Sequence, residues 1–146
     1  MTYTLELTDV ADENVRKLIV APLIEYNTSQ AGPGNGKPVV IVIKDEAQQI
    51  VGGLWGHTGY DWLFTQLIVV PETYRGTGVG RKLMSMAEAE AVSRGCSGAW
   101  LDTFEFQARG FYEHIGYECF AELPNYPARF SRYFMKKVLR SAPSDA

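Results

Sequence analysis

Hydrophobic and polar positions at the start of the chain change from the period of a strand to that of a helix. Residues 3–7 alternate between polar and apolar side chains, which predicts a short strand. Apolar side chains then recur every three or four residues over residues 15–26, which predicts an amphipathic helix capped by Asp12. Pro22 lies inside this pattern and predicts either a kink or two short helices in succession. The Gly-, Pro- and Asn-rich stretch at residues 27–38 predicts a mobile loop.

The middle of the chain predicts antiparallel strands followed by a parallel crossover. Runs of β-branched and aromatic residues at 39–44, 50–56 and 62–70 predict three consecutive strands joined by turns. Helical spacing over residues 79–91 and another strand-like run at 99–103 come next. The third strand therefore opens a strand–helix–strand unit, and such units are almost always right-handed and parallel.

The last part of the chain predicts a short helix and a hairpin. Phe111, Tyr112 and Ile115 give residues 108–115 an apolar helical side, and Gly116 is expected to end this helix. Residues 119–123 and 130–139 then predict two strands, which the turn sequence PNYP connects.

Length and composition fit one compact domain. The chain has 146 residues, of which 46% are hydrophobic, and we predict a single domain over residues 1–139 with a flexible tail at 140–146. A formal net charge of −3 provides no general attraction to nucleic acid or to anionic membranes. The two cysteines match no disulfide framework and no metal-ligand spacing, and no apolar run is long enough to span a bilayer. We therefore expect a cytoplasmic protein without a metal.

A glycine-rich turn separates the buried third strand from the helix that follows it. Residues 75–80 read RGTGVG, and glycines at a helix start leave backbone N–H groups free to bind an anion. The Walker pattern requires Lys and then Ser or Thr after its last glycine, and the dinucleotide pattern requires a third glycine at residue 81 or 83; the chain satisfies neither. The pattern that fits is RxxGxG, which we interpret as a pyrophosphate site.

Two segments resemble the GNAT superfamily of acyl-CoA-dependent N-acetyltransferases. They are LIVVPETYRGTGVGRKLMSMAEAEA at residues 67–91 and LDTFEFQARGFYEHIGY at residues 101–117. The resemblance covers the whole chain and implies an α+β fold of the α/β sandwich type. The expected sheet is mixed and mostly antiparallel, with six or seven strands, a central parallel pair and about four flanking helices. The implied activity is transfer of an acetyl group from the cosubstrate acetyl-CoA to a primary amine.

The resemblance also implies where acetyl-CoA binds. Loop amides would hold its pyrophosphate, with added contacts from two arginines, and the preceding strand would pair with the amides of pantetheine where its parallel neighbour diverges. The residues expected to bind the cosubstrate are Leu67, Ile68, Val69, Arg75, Gly76, Thr77, Gly78, Val79, Gly80 and Arg81. The alternative for both arginines is that they are solvated surface charges.

Acetyl transfer requires a neutral amine, a site for the oxyanion and a proton for the departing thiolate. The resemblance places Tyr112 beside the thioester sulfur, so we expect it to be the general acid; a purely structural role in the core is the alternative. His57 is the candidate general base because it is the histidine near the expected acceptor cleft. Asp61, Asp102 and Glu105 are carboxylate alternatives, and a chain of water molecules is another.

The sequence leaves more than one acceptor and more than one functional class open. We expect a small-molecule or peptide amine as acceptor and neither nucleic acid nor membrane as a partner, and the aromatic final hairpin is a candidate homodimer surface. A non-catalytic acyl-CoA-binding sensor or interaction module is the alternative function. It is supported by Thr65 and Gln66, which stand where some family members carry a catalytic glutamate. A nucleotide-binding regulatory domain is a third class, disfavoured by the failed nucleotide patterns.

Overall fold

The structure is a computed structural model that describes residues 1–140, so the predicted tail lies outside the described residues except for Arg140. The described chain divides into two compact units. One comprises Met1–Gly34 and the other begins at Asn35. No helix within residues 1–140 is long and apolar enough to cross a membrane.

The first unit is built around one long helix, α1 (Glu13–Ala31). The prediction that Asp12 caps it is confirmed, because its carboxylate accepts hydrogen bonds from the N–H groups of Asn14 and Val15 at 2.8 and 3.1 Å. Pro22 lies inside the helix, which continues through it as a single element rather than as two short helices.

Two predictions for the first unit are wrong. Residues 3–7 form no strand, because alternation becomes a strand only through a partner ladder and none of the six strands pairs with this segment. The loop predicted at residues 27–38 is shorter, since α1 extends to Ala31 and the next strand begins at Lys37. Gly32 supplies the backbone conformation that ends α1, with a φ of 79°.

The second unit contains a six-stranded sheet in the order β1-β2-β3-β4-β6-β5. The strands are β1 (Lys37–Lys44), β2 (Ile50–Gly59), β3 (Trp62–Val69), β4 (Gly98–Phe104), β5 (Glu118–Leu123) and β6 (Arg132–Val138). The pair β3–β4 is parallel and all other neighbours are antiparallel. The predicted mixed sheet with one central parallel pair is confirmed, and strand ends differ from the predicted ends by only a few residues.

Two α-helices accompany the sheet: α2 (Val79–Ser93) and α3 (Arg109–His114). With α1 they make three α-helices in residues 1–140, one fewer than the resemblance implied, and a short 3-10 helix (Glu72–Tyr74) precedes α2. The core combines one side of α2 with buried strand residues. Its fully buried members include Leu63, Met84, Ala87, Ala91, Ala99, Leu101 and Met135. Of the apolar positions whose spacing predicted α2, Leu83, Ala87 and Ala91 form its buried side, whereas Met86 is 57% exposed and Met84 is buried instead.

The parallel pair separates near its middle, and this separation creates the site. Strands β3 and β4 are paired from Trp62 with Gly98 to Thr65 with Leu101, and no further. Beyond Thr65, β3 stays paired with β2 as far as Val69, while β4 stays paired with β6. The edge of β3 that faces β4 therefore loses its backbone partners after Thr65.

Candidate active site

A cleft of about 1270 Å³ opens where β3 and β4 separate. The end of β3, the glycine turn, the start of α2, the middle of β4 and α3 all line it. The predicted site residues that line the cleft are Leu67, Ile68, Val69, Arg75, Gly76, Gly78, Val79, Gly80, Arg81 and Tyr112. The structure thus brings together the predicted cosubstrate residues, except Thr77, with the predicted general acid, while His57 lies outside the cleft lining.

The start of α2 leaves several backbone donors open toward this cleft. Gly78 is the N-cap residue and no side chain caps the helix, whose first hydrogen bond runs from the Lys82 N–H to the Gly78 carbonyl at 3.0 Å. In the glycine turn and the first turn of α2, five cleft-lining N–H groups have no backbone acceptor within residues 1–140. They belong to Gly76, Gly78, Val79, Gly80 and Arg81. Such donors, together with the positive end of the helix dipole, form an anion site.

The glycines give this turn its shape. Gly76 and Gly78 have φ angles of 78° and 84°, a left-handed conformation that side-chain-bearing residues adopt at a cost of about 1–2 kcal/mol. A Cβ at either position would meet no atom within 4 Å, so the requirement is conformational and no protein atom opposes a side chain there. A Cβ at Gly80 would instead lie 3.4 Å from the ring of Phe111, which places α2 and α3 in close approach.

The two arginines of the turn have no carboxylate partner in the described part of the chain. Arg75 donates from Nε to the Val70 carbonyl at 3.4 Å, which ties its side chain to the segment that follows β3. Neither Arg75 nor Arg81 forms an ion pair within residues 1–140, and both are exposed. Both can therefore contact a bound anion. Thr77 turns its hydroxyl back to the Tyr74 carbonyl, which explains why it does not line the cleft.

Thr65 carries a buried hydroxyl that the described protein leaves unpaired. Its side chain is only 4% exposed, it lines the cleft at the last residue pair of β3 and β4, and its Oγ1 has no hydrogen-bond partner within residues 1–140. An unpaired buried hydroxyl costs about 1–3 kcal/mol. We interpret Thr65 as a donor or acceptor for a ligand. In the sequence, the signal for Thr65 is a polar residue within a buried strand, which by itself predicts no ligand contact.

Thr65→Val is expected to separate stability from binding. Valine has nearly the same shape and lacks the hydroxyl, so the free energy of unfolding of the ligand-free protein should rise by about 1 kcal/mol. Affinity for acetyl-CoA or turnover should fall about tenfold, because the ligand loses its partner. Denaturant unfolding and calorimetric titration measure the two quantities. Lower stability with unchanged binding and turnover would show that the hydroxyl has only a structural role.

Tyr112 both packs in the core and borders the cleft. The residue is 5% exposed, and its ring makes edge contacts with Phe111 and Tyr117 at centroid distances of 5.2 and 6.0 Å. Burial, and to a lesser extent the charge of Asp102, raise the pKa of Tyr112 to about 12. No hydrogen bond of its hydroxyl occurs within the described chain. Tyr112 thus presents a protonated phenol to the cleft at neutral pH.

The candidate bases occupy different places. His57 is exposed on β2, where its ring meets that of Phe64 edge-on at 5.6 Å. Asp61 is also absent from the cleft lining, and Glu105 accepts a hydrogen bond from the Ser131 N–H at 2.8 Å outside it. Asp102 alone among the four candidates lines the cleft.

Comparison with known proteins places this geometry in a family. Residues 36–119 match the protein family described as "Acetyltransferase (GNAT) domain". An acetyltransferase of Agrobacterium fabrum is 43% identical over 111 residues, which cover 76% of this chain and 81% of the relative. A blasticidin-S acetyltransferase of Streptomyces morookaense is 39% identical over 95 residues, covering 64% and 70%. A crystal structure of a proposed acetyltransferase from Agrobacterium tumefaciens, 38% identical, superimposes with a TM-score of 0.87 and covers 93% of this chain and 99% of that one.

The chain belongs to the GNAT family of acetyltransferases. The resemblance seen in the two sequence segments is confirmed, and so is the fold class that it implied. The turn with open N–H groups and the separating strands lie inside the matched range, whereas α1 precedes it.

Proposed function

We propose that this chain is an acetyl-CoA-dependent N-acetyltransferase that acetylates a primary amine of a small molecule. The observation that carries the proposal is the group of five open N–H donors at the start of α2, in the same cleft as Tyr112 and the unpaired hydroxyl of Thr65. One end of the cleft is suited to a diphosphate and the other to a reacting carbonyl. The chain thereby offers partners for the diphosphate and for the acetyl end of acetyl-CoA.

The diphosphate is assigned to the glycine turn and the pantetheine arm to β3. Backbone N–H groups and the α2 dipole act on the phosphates. The guanidinium groups of Arg75 and Arg81, which form no ion pair within residues 1–140, add charge-assisted contacts. The edge of β3 at Leu67–Val69 has no β4 partner, so the two amides of pantetheine can pair there as an added strand.

The proposed reaction is direct attack of a neutral amine on the thioester carbonyl. A new C–N bond forms while the C–S bond breaks, and a backbone N–H near Val69 stabilises the oxyanion. Tyr112 donates its proton toward the departing sulfur, and the surplus proton of the attacking nitrogen returns to Tyr112 through solvent. The buried setting that raises the pKa of Tyr112 also raises the pKa of a thiol that leaves beside it. The pKa values of the proton donor and of the departing thiol therefore shift in the same direction.

A small-molecule acceptor is supported by one of the relatives. The protein of Streptomyces morookaense, 39% identical to this chain, is a blasticidin-S acetyltransferase. A peptide amine is the second acceptor class. A cytoplasmic location and a homodimer built on the final hairpin are further predictions, as is the single domain over residues 1–139.

Release of free thiol from acetyl-CoA in the presence of a panel of primary amines tests the proposal. The expected result is amine-dependent thiol release, together with calorimetric binding of acetyl-CoA in the absence of amine. Binding without thiol release for any amine would instead support the acyl-CoA-binding sensor. Competition experiments add a third arm, because displacement of CoA by ATP or NAD at lower concentration would support the nucleotide-binding class.

A further inference from the structure

Asp102 gives the cleft a negative charge at the end opposite the glycine turn. It lies on β4 directly after Leu101, the last residue paired with β3, and its side chain is 18% exposed. Among the lining residues in the described chain it is the only carboxylate, whereas Arg75 and Arg81 border the other end. Tyr112 lines the same cleft, and the charge of Asp102 contributes, after burial, to the raised pKa of Tyr112.

The Asp102 carboxylate is held in place with one oxygen available. Its Oδ1 accepts hydrogen bonds from Arg132, from Nε at 3.0 Å and from a terminal guanidinium nitrogen. The guanidinium of Arg132 lies in turn over the rings of Phe104 and Tyr126, 4.8 and 4.9 Å from their centroids. No hydrogen bond to Oδ2 of Asp102 occurs within residues 1–140. An oriented carboxylate with a free oxygen is a binding site for a cation.

An aromatic shell, defined as Phe104, Phe106 and Tyr126, adjoins this carboxylate. Phe104 stacks on Phe106 and on Tyr126 with centroid distances of 5.2 and 5.9 Å. A second hollow of about 450 Å³ is lined by Phe104, Phe106, Asn125, Tyr126 and Pro127, and Phe106 also lines the main cleft. Phe106 therefore stands at the border between the hollow and the cleft. Phe106 and Tyr126 are 56% and 47% exposed, so their rings are accessible to a ligand.

We infer that Asp102 and the aromatic shell form the acceptor subsite, which selects a cationic amine carried on a flat, unsaturated ring. The ammonium group contacts Oδ2 of Asp102 and the ring packs on the shell, where the aromatic faces favour both planar groups and cations. This inference rests on the proposed N-acetyltransferase function and names the acceptor class within it.

We assign Asp102 to recognition of the acceptor's ammonium group and not to removal of its proton. A carboxylate is about 6 pKa units too weak a base to deprotonate an alkylammonium group outright. Asp102 therefore binds the ammonium form, the thioester is attacked by the neutral amine that is in equilibrium with it, and the proton lost in that equilibrium passes to the buffered solvent. The selected feature is the charge of the resting acceptor, so Asp102 should affect the KM of charged amines more than kcat.

Matched acceptors test the inference. The probes are benzylamine, which is cationic at neutral pH, benzohydrazide, which has a similar ring and an uncharged primary nitrogen, and butylamine, which is cationic without a ring. With the wild-type chain, kcat/KM is expected to be highest for benzylamine. Asp102→Asn should lower kcat/KM for benzylamine at least about tenfold, mainly through KM, and change benzohydrazide by less than about twofold. Phe106→Ala should lower kcat/KM for benzylamine more than it lowers kcat/KM for butylamine.

Two further variants separate recognition from folding. Glu88→Gln removes a carboxylate that binds Lys137 Nζ at 2.6 Å and the Tyr117 hydroxyl at 3.2 Å, but lies outside the cleft lining. Its side chain is 12% exposed, close to the value for Asp102, so both changes should lower Tm. Only Asp102→Asn should change the ratio of benzylamine to benzohydrazide turnover. Asp102→Glu keeps the charge and should keep the preference for benzylamine.

The outcomes distinguish this inference from the proposed function. If the wild-type chain acetylates these amines and Asp102→Asn leaves the ratio of benzylamine to benzohydrazide turnover unchanged, the acceptor subsite is wrong and the enzyme assignment stands. If the wild-type chain releases no thiol with any amine of the larger panel, the proposed function fails and the subsite fails with it. Calorimetric binding of acetyl-CoA to Asp102→Asn within about twofold of wild type confirms an intact cosubstrate site in either case.

Discussion

Gly78→Glu is expected to abolish productive binding of acetyl-CoA. Gly78 has a φ of 84°, so any side chain there strains the backbone, and the space around its Cβ position is open. A carboxylate in that space stands beside the open N–H groups and competes with the diphosphate for them. We expect the dissociation constant to rise at least about 100-fold, which corresponds to about 2.8 kcal/mol. Isothermal titration with acetyl-CoA measures it.

Gly78→Ala is the matched control for this variant. It introduces the same left-handed strain without a charge, so the free energy of unfolding should fall by about 1–2 kcal/mol in both variants. Affinity for acetyl-CoA should fall less than about tenfold in the alanine variant, because the helix dipole and most amide donors remain accessible. Equal affinities for the wild-type and glutamate variants would show that the diphosphate does not lie on the glycine turn.

Tyr112→Phe is expected to lower kcat about 100-fold while the dissociation constant of acetyl-CoA changes by less than about twofold. The ring contacts survive in phenylalanine, so the loss reports the hydroxyl alone. Because the pKa of Tyr112 is raised to about 12, the phenol stays protonated throughout the neutral and moderately alkaline range. Turnover should therefore rise with pH as the acceptor amine deprotonates, with no decline from Tyr112 until pH approaches 12. Stopped-flow measurement of thiol release gives kcat across this pH range.

Tyr117→Phe provides the comparison for Tyr112→Phe. Tyr117 is 3% exposed and packs edge-on against Tyr112, but its hydroxyl bonds to Glu88 and it does not line the cleft. Its replacement should lower Tm and leave kcat unchanged. Equal kcat for wild type and Tyr112→Phe would remove Tyr112 from the chemistry and return it to the core-packing role that the sequence also allowed.

The parts of the fold that could be predicted are those where a local pattern leaves one solution. The apolar run before residue 70, the glycine turn and the spacing of α2 together allow only a strand–helix–strand unit, and its pairing is parallel as expected. The residues expected to hold the cosubstrate follow from the resemblance to the GNAT superfamily, which the same stretch of sequence carries. All of them except Thr77 line one cleft, because α2 follows β3 through a short turn and therefore begins at the end of that strand.

The parts that could not be predicted depend on contacts between distant segments. The alternation at residues 3–7 is compatible with a strand, but no local feature supplies a partner for it. The pairing of Asp102 with Arg132 joins residues 30 positions apart, and the placement of β6 between β4 and β5 creates it. The unpaired hydroxyl of Thr65 is visible only once the strands are seen to separate beside it.

The separation of β3 and β4 after Thr65 has a consequence for how such a protein diversifies. In the proposed binding mode the coenzyme is held chiefly by main-chain groups, which every amino acid supplies. Mutations that remodel the shell around Phe106 or replace Asp102 can therefore redirect the enzyme to a new amine without loss of the coenzyme. Acceptor choice and coenzyme affinity can thus evolve independently within a framework of this small size.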